Sequence, residues 1–129
     1  MPDALYPAVA RDLVQRRRDL APSTDAAFLA FSHQVFAGGA LAAKFKQIIA
    51  VAVAHVTQCP YCIKGHTAAA LRHGTSPEEL MEAIWVATEM RAGASYAHSM
   101  LAIAEIDKFS TPITEPESCR SAWRNSHAD

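Results

Sequence analysis

The sequence predicts an all-α protein, and three observations carry this prediction. Apolar residues recur at helical spacing along most of the chain, and serine and proline signals for helix starts precede several of these segments. No alternating strand pattern and no glycine-rich phosphate loop stands out. The 129 residues match one domain with one core. We therefore expect about six helices over residues 1–108 and an irregular C-terminal extension over residues 109–129.

The first half of the chain predicts three helices, of which the third has almost no polar side. The first two, DALYPAVARDLVQRRRDL and STDAAFLAFSHQVF, are amphipathic, and Pro22 separates them, with Ser23 or Thr24 as the expected cap of the second. Taken alone, KFKQIIAVAVAHV also fits a buried strand, but its length, alanines and helical neighbours favour a helix buried on all sides. A domain this small surrounds such a helix only with another subunit's help, so we expect a homo-oligomer.

Besides the helix that carries the cysteines, which is described below, the second half predicts two further helices and then the extension. SPEELMEAIWVATEMRAG is typical of a helix that Ser76 caps and that Pro77 begins. We expect Gly93 to kink or end this helix, and ASYAHSMLAIAEI to follow as another. The sequence has no regular pattern from about Phe109 onward. Cys119 lies in that extension and is expected to be a thiol that takes no part in the redox chemistry.

Composition excludes several classes of partner. With a formal net charge of −1, the chain has no excess of positive charge with which to bind nucleic acid or an anionic membrane. The first residues lack an apolar stretch long enough for a secretory signal, and IIAVAVA is too short to span a bilayer. We therefore expect a cytoplasmic protein with no nucleic-acid or membrane partner, in a compartment that keeps thiols reduced.

The stretch CPYCIKGH is the most informative part of the chain. A helix that begins at Pro60 places Cys59 at its cap and Cys62 in its first turn, where free backbone N–H groups and the helix dipole stabilise a thiolate. His66 lies four residues after Cys62 and therefore on the same helix face. This spacing suits a nucleophile, a resolving thiol and a base that act on a peroxide or a disulfide.

Three other interpretations of the cysteine pair are weaker. A structural zinc site needs four ligands, and the fourth would have to come from His55, His73 or Cys119, none of which has a recognisable spacing. A thioredoxin-like fold needs βαβ units, which the sequence lacks. Two buried structural cysteines are a third interpretation. We expect a redox pair, with no metal and no cofactor.

The combination of helices and cysteines resembles the AhpD-like alkylhydroperoxidases of the carboxymuconolactone decarboxylase family. The resemblance covers roughly residues 41 to 105 and rests on KQIIAVAVAHVTQCPYCIKGH, TAAALRHGTSPEELMEAIWVA and MRAGASYAHSML. It implies an AhpD-like helical domain, assembled into trimers or hexamers, with the cysteine helix in the core. It also implies thiol-dependent reduction of hydroperoxides, with electrons from a dithiol donor of the thioredoxin or lipoyl type.

The resemblance also implies roles for individual residues. Cys62 corresponds to the peroxidatic cysteine and Cys59 to the resolving one. The helix dipole alone favours Cys59, the more exposed cap, whereas the position of His66 favours Cys62. The family relay has a glutamate twelve residues before the first cysteine, and Gln47 stands there in this chain. An amide can orient a water molecule or His66 but cannot act as a base.

Four other residues are weaker site candidates. His55 lies on roughly the same face as Gln47 and either compensates for the missing carboxylate or packs in the helical core. Tyr61 is expected to pack against or cover the sulfurs without taking part in chemistry. Tyr96 and His98 are expected at a helix interface.

Three functions remain open from the sequence. The first is a thiol peroxidase or disulfide oxidoreductase that uses the cysteine pair. The second is an oligomeric redox sensor without turnover. Gln47 keeps this function open, because it cannot act as a base. The third is decarboxylation of a muconolactone-like lactone, the reaction that names the wider family. The decarboxylases proper do not rely on a cysteine pair, which argues against this third function.

Overall fold

The computed structural model describes residues 5–110, and this part of the chain is all-helical with no strand. This confirms the predicted fold class. The five helices are α1 (Arg11–Leu20), α2 (Pro22–Phe36), α3 (Ala43–Thr57), α4 (Pro60–Arg72) and α5 (Pro77–Ser110). Within the described residues, no helix has both the length and the apolar character that crossing a membrane requires.

The prediction that the helix could end at Gly93 is wrong, and residues 5–110 therefore contain five helices instead of six. Helix α5 is one element of 34 residues that runs through Gly93 to Ser110. A glycine inside a helix costs only about 1 kcal/mol relative to alanine. No proline follows Gly93 within the helix to remove a backbone donor, so the surrounding helix formers keep it helical.

The predicted start of α5 is confirmed by a reciprocal cap. The Glu79 N–H donates to Ser76 Oγ over 3.1 Å, and the Ser76 N–H donates back to Glu79 Oε2 over 2.8 Å. Lys44 of α3 also donates to Glu79, at 3.2 Å. The backbone hydrogen bond from Ser76 and the Lys44 ammonium hold the pKa of the Glu79 carboxyl below its usual range.

The predicted starts of α1 and α2 differ from the structure. Helix α1 begins at Arg11, because Pro7 would otherwise lie inside a helix and remove one of its hydrogen bonds. The cap of α2 is Ala21 and makes no side-chain hydrogen bond, so neither Ser23 nor Thr24 has the predicted role. Pro22 is the first helical residue instead, a position that its fixed φ suits.

The chain divides into two compact units, one that ends at Trp85 and one that begins at Val86. The first contains α1 to α4 and the start of α5. In the second, residues 86–110 are helical. Phe109 and Ser110 close α5, and the rest of the predicted extension, Cys119 included, lies outside the described residues. The division at residue 108 therefore stays a prediction.

The core of the first unit is formed where α3, α4 and the start of α5 meet. Val51 and Ala70 are fully buried there, with Leu80 beside them and Ile84 packed against the cluster. Such burial contributes roughly 25 cal/mol for each Å² of apolar surface removed from water.

Within the single chain, helix α3 is buried along one side, and its predicted burial on all sides requires another subunit. Its buried residues, Gln47, Val51 and Ala54, form one stripe. Ile49 and Val53 remain about half exposed, at 49% and 52%. A single small unit offers neighbours to only part of the helix surface, and the homo-oligomer stays a prediction.

Candidate active site

A tight reversal between α3 and α4 positions the two cysteines. Gln58 ends α3 in the left-handed conformation, with φ 56° and ψ 45°. The next residue, Cys59, caps α4 and donates its N–H to Ala54 O over 3.2 Å, and Pro60 begins the helix. The predicted start of this helix is confirmed, and both sulfurs lie at its N-terminal end.

The two cysteines form a hydrogen-bonded pair of free, half-buried thiols. The Cys62 N–H donates to Cys59 Sγ over 3.3 Å. The hydrogen bond between the two side chains, followed by this backbone hydrogen bond, lowers the pKa of Cys59 below its ordinary value. The same side-chain contact, followed by burial, raises the pKa of Cys62. In the reduced pair the thiolate therefore forms on Cys59, and the Cys62 thiol donates to it.

His66 lies on α4 and is held by contacts from two other helices. Its Nδ1–H donates to Gln47 Oε1 of α3 over 2.8 Å, since an amide oxygen can only accept. The imidazole also stacks on Phe36 of α2, with ring centroids 4.9 Å apart. Gln47 is itself buried. Because Nδ1 carries the hydrogen bond, Nε2 is the nitrogen that can exchange a proton with another group.

Cys62 and His66 line two cavities of different chemistry, and Cys59 lines neither of them. The first has a volume of about 400 Å³ and is mainly apolar, with one cation; its walls include Val35, Lys46, Ile49 and Val53. The second has a volume of about 660 Å³ and carries more polar groups, among them His33, Gln47, Tyr61 and His73. A small molecule in either cavity meets Cys62 first, although the more acidic thiol is Cys59.

The structure brings three of the other predicted residues to different places. Gln47 reaches His66, as described above. His55 Nδ1–H donates to Val51 O of its own helix over 2.7 Å, and His55 lines neither cavity. Tyr61 lines the second cavity, but its hydroxyl donates to Pro7 O over 2.9 Å. Its ring meets Tyr6 edge-on.

Tyr96 and His98, the weakest candidates from the sequence, lie exposed on the part of α5 that belongs to the second unit. Among residues 5–110, no three His, Cys, Asp or Glu side chains are placed to hold a metal ion. Cys119, one possible fourth zinc ligand, lies outside that range.

Sequence reasoning missed Phe36 and Lys46. Phe36 is the last residue of α2 and stacks on His66 from 30 positions away, a contact for which the sequence carries no signal. Lys46 stands between Phe45 and Gln47 and is the second of two lysines at the start of a mainly apolar helix, and a cation at that place was the available hint. Lys46 Nζ donates to Val35 O and Ala37 O, at the end of α2.

Two solved structures have the same fold. A carboxymuconolactone decarboxylase family protein from Legionella pneumophila superposes with a TM-score of 0.60 at 29% identity, over 78% of this chain and 89% of that one. A protein from Methanobacterium thermoautotrophicum gives a TM-score of 0.62 at 30% identity, over 65% of this chain and 94% of that one.

Relatives in sequence match over 86 residues, 67% of this chain. A protein of Paracoccus denitrificans, described as uncharacterised protein 4 in the cox locus, is 63% identical, with 78% of its length covered. An uncharacterised protein of Cupriavidus necator is 34% identical, with 76% of its length covered.

The sequence profile of the carboxymuconolactone decarboxylase family matches residues 22–105. The match begins at the start of α2 and therefore includes Phe36, Gln47, both cysteines of the pair and His66. The match to the family profile, the shared fold and the sequence relatives agree on one assignment. The protein belongs to the carboxymuconolactone decarboxylase family.

Proposed function

We propose that this protein is a thiol peroxidase that reduces hydroperoxides through Cys62 and Cys59, with His66 as the proton donor and acceptor. The observation that carries the proposal is the placement of Cys62 and His66 in the wall of the same cavity, with Cys59 hydrogen-bonded to Cys62. A nucleophile, a group that can move protons and a second thiol thus stand within reach of one bound molecule.

In the first step Cys62 attacks the terminal oxygen of the hydroperoxide. Its thiol proton passes to the Cys59 thiolate, an S–O bond forms and the O–O bond breaks. The departing alkoxide takes a proton from Nε2 of a protonated His66 and leaves as an alcohol. Two electrons move from sulfur to oxygen, and Cys62 becomes a sulfenic acid.

In the second step Cys59 attacks the oxidised sulfur. The S–S bond forms, the S–O bond breaks, and the departing hydroxide leaves as water with the proton of the Cys59 thiol, which His66 relays. A dithiol donor of the thioredoxin or lipoyl type then reduces the disulfide by thiol exchange and becomes a disulfide itself. The net reaction converts a hydroperoxide and a dithiol into an alcohol, water and a disulfide.

The proposed enzyme is a cytoplasmic homotrimer or homohexamer. Apolar side chains exposed in the single chain support the assembly. In the first unit they include Phe45 of α3 and Trp85 of α5, and in the second unit Met100, Leu101 and Ile103 of α5. A compartment that keeps thiols reduced suits a pair that must return to its open form after each cycle.

A peroxidase assay coupled to a dithiol donor tests the proposal, with wild type beside Cys62→Ser. We expect turnover by wild type and its loss in Cys62→Ser. Trapping of the sulfenic acid in Cys59→Ser is expected to label Cys62. A label on Cys59 in Cys62→Ser, with none on Cys62 in Cys59→Ser, reverses the two roles.

A second candidate function is a redox switch in which the pair opens and closes without turnover. Gln47 favours this candidate, because the residue that holds His66 cannot accept a proton. A measurable reduction potential of the pair, together with no peroxide consumption, would support the switch over the enzyme.

A further inference from the structure

The first cavity is much larger than hydrogen peroxide. A water molecule takes up about 30 Å³ in the liquid, and hydrogen peroxide has only one more oxygen atom. The cavity measures about 400 Å³ and has apolar walls that include Ile49 and Val53. Apolar walls gain free energy from contact with carbon and none from a small polar molecule. The space beside Cys62 therefore suits a peroxide that carries an organic group.

Lys46 is the charged residue in the wall of this cavity. Its ammonium group has three N–H donors. Two of them are used by Val35 O at 2.8 Å and Ala37 O at 2.6 Å. One donor remains, and within residues 5–110 Lys46 forms no ion pair. Lys44 on the same helix differs, because it pairs with Glu79 at 3.2 Å.

We infer that the preferred substrate is an organic hydroperoxide that bears a carboxylate, with the carboxylate bound by Lys46. This inference rests on the proposed peroxidase function. The apolar body of the substrate lies against the walls, and its peroxide group lies at Cys62 and His66. The Lys46 side chain is only partly exposed, so solvent screens its attraction for a carboxylate less than it would screen that of a fully exposed lysine. A neutral substrate of the same shape gains no such attraction.

The test compares para-carboxycumene hydroperoxide with its methyl ester, which differs only in charge and one methyl group. With a dithiol donor, we expect wild type to favour the acid over the ester by at least about tenfold in kcat/KM, which corresponds to about 1.4 kcal/mol. Lys46→Gln keeps N–H donors for the two carbonyls but removes the charge, so the ratio should fall toward one. Lys46→Arg should retain most of the preference.

Lys44→Gln is the matched control, because it removes a lysine of the same helix that does not line the cavity. Its acid-to-ester ratio should equal that of wild type. Equal rates on acid and ester in wild type would overturn the inference, and so would an equal loss on both substrates in Lys46→Gln. Should Lys46→Gln fail to fold, the wild-type ratio still decides.

A binding measurement separates this inference from the peroxidase proposal. The peroxide-free analogue para-isopropylbenzoate is titrated into the reduced full-length protein, with its methyl ester as the comparison. We expect saturable binding of the anion that weakens at least about tenfold in Lys46→Gln. If no hydroperoxide is turned over but this binding holds, the peroxidase proposal fails and the anion site stands. Absent binding, or the same affinity in Lys46→Gln, overturns the anion site whatever the turnover.

Discussion

The Nδ1–H of His66 donates to Oε1 of Gln47 over 2.8 Å, although 19 positions separate the two residues. The contact joins α4 to α3 and holds the imidazole in one tautomer next to the cysteine pair. A carboxylate in place of the Gln47 amide would hold the same proton and also stabilise the imidazolium. Gln47 therefore orients His66 as a carboxylate would, but it has no negative charge with which to stabilise the imidazolium.

Gln47→Glu should raise the peroxidase rate. General acid–base catalysis raises a reaction rate by about two to four orders of magnitude. Because Gln47 already orients His66, we expect a gain near the lower end of that range, about 100-fold in kcat/KM. Steady-state peroxide consumption with a dithiol donor measures it. Gln47→Leu is the control: it removes the acceptor for Nδ1–H and should lower the rate. An unchanged rate in Gln47→Glu would mean that His66 does not limit turnover.

The two thiols should differ in reactivity toward an alkylating agent. The pKa of Cys59 lies below its ordinary value and that of Cys62 above, so at any pH near neutral Cys59 holds the larger thiolate fraction. Iodoacetamide in limiting amount should modify Cys59 first, as mass spectrometry of the reduced protein can follow. The preference should fade as the pH rises and Cys62 also ionises. Faster labelling of Cys62 at neutral pH would contradict the direction of both shifts.

Replacement of the Cys62 side chain should move the pKa of Cys59. The largest cause of its low value is the hydrogen bond from the Cys62 side chain. Cys62→Ala removes that donor, so the pKa of Cys59 should rise, whereas Cys62→Ser keeps an O–H donor and should leave it lower. The pH dependence of thiolate absorbance in each variant reports the value. Identical titrations in the two variants would assign the shift to the backbone N–H groups of Cys62 and Tyr61.

Gln58→Gly should stabilise the fold. Gln58 has a φ of 56°, a region that side chains rarely adopt and that glycine enters freely. The relieved strain is partly offset by the extra freedom of glycine in the unfolded chain, so we expect a net gain of about 0.5 kcal/mol in the free energy of unfolding. Urea denaturation at one fixed protein concentration measures it, and Gln58→Ala, which keeps the strain, is the control. A loss of stability in Gln58→Gly would contradict the assignment.

Leu101→Glu should dissociate the proposed oligomer. Leu101 is 70% exposed in the single chain, so in a monomer the substitution should change stability by no more than about 0.5 kcal/mol. In an assembly that covers this part of α5, it would bury a charge. Sedimentation at micromolar concentration should give an oligomer for wild type and a smaller species for Leu101→Glu. Ser95→Glu, an exposed polar position, is the control. A monomeric wild type would remove the proposal of an oligomer.

The helices and the cysteine cap could be predicted because they depend on neighbours in the chain. Each of the two helix caps joins residues only three positions apart, Ser76 with Glu79 and Cys59 with Cys62. Such a cap can be predicted from the sequence. Periodicity likewise predicted α1 and α2, whereas α3 was predicted to be a helix from its length, its alanines and its helical neighbours. The same local reasoning failed at Gly93, because a weak local preference decides little against the helix on both sides of it.

The environment of the sulfurs depends on packing between distant segments. Phe36 stacks on His66 from 30 positions away, and Lys46 reaches the end of α2 to share a cavity with Cys62. No periodic pattern encodes such contacts, because they arise from the way helix surfaces fit together once hydrophobic burial has brought them close. The residues proposed for the sulfur chemistry could be predicted from eight consecutive positions, Cys59 to His66. The shape and charge of the space beside them come from three helices folded against one another.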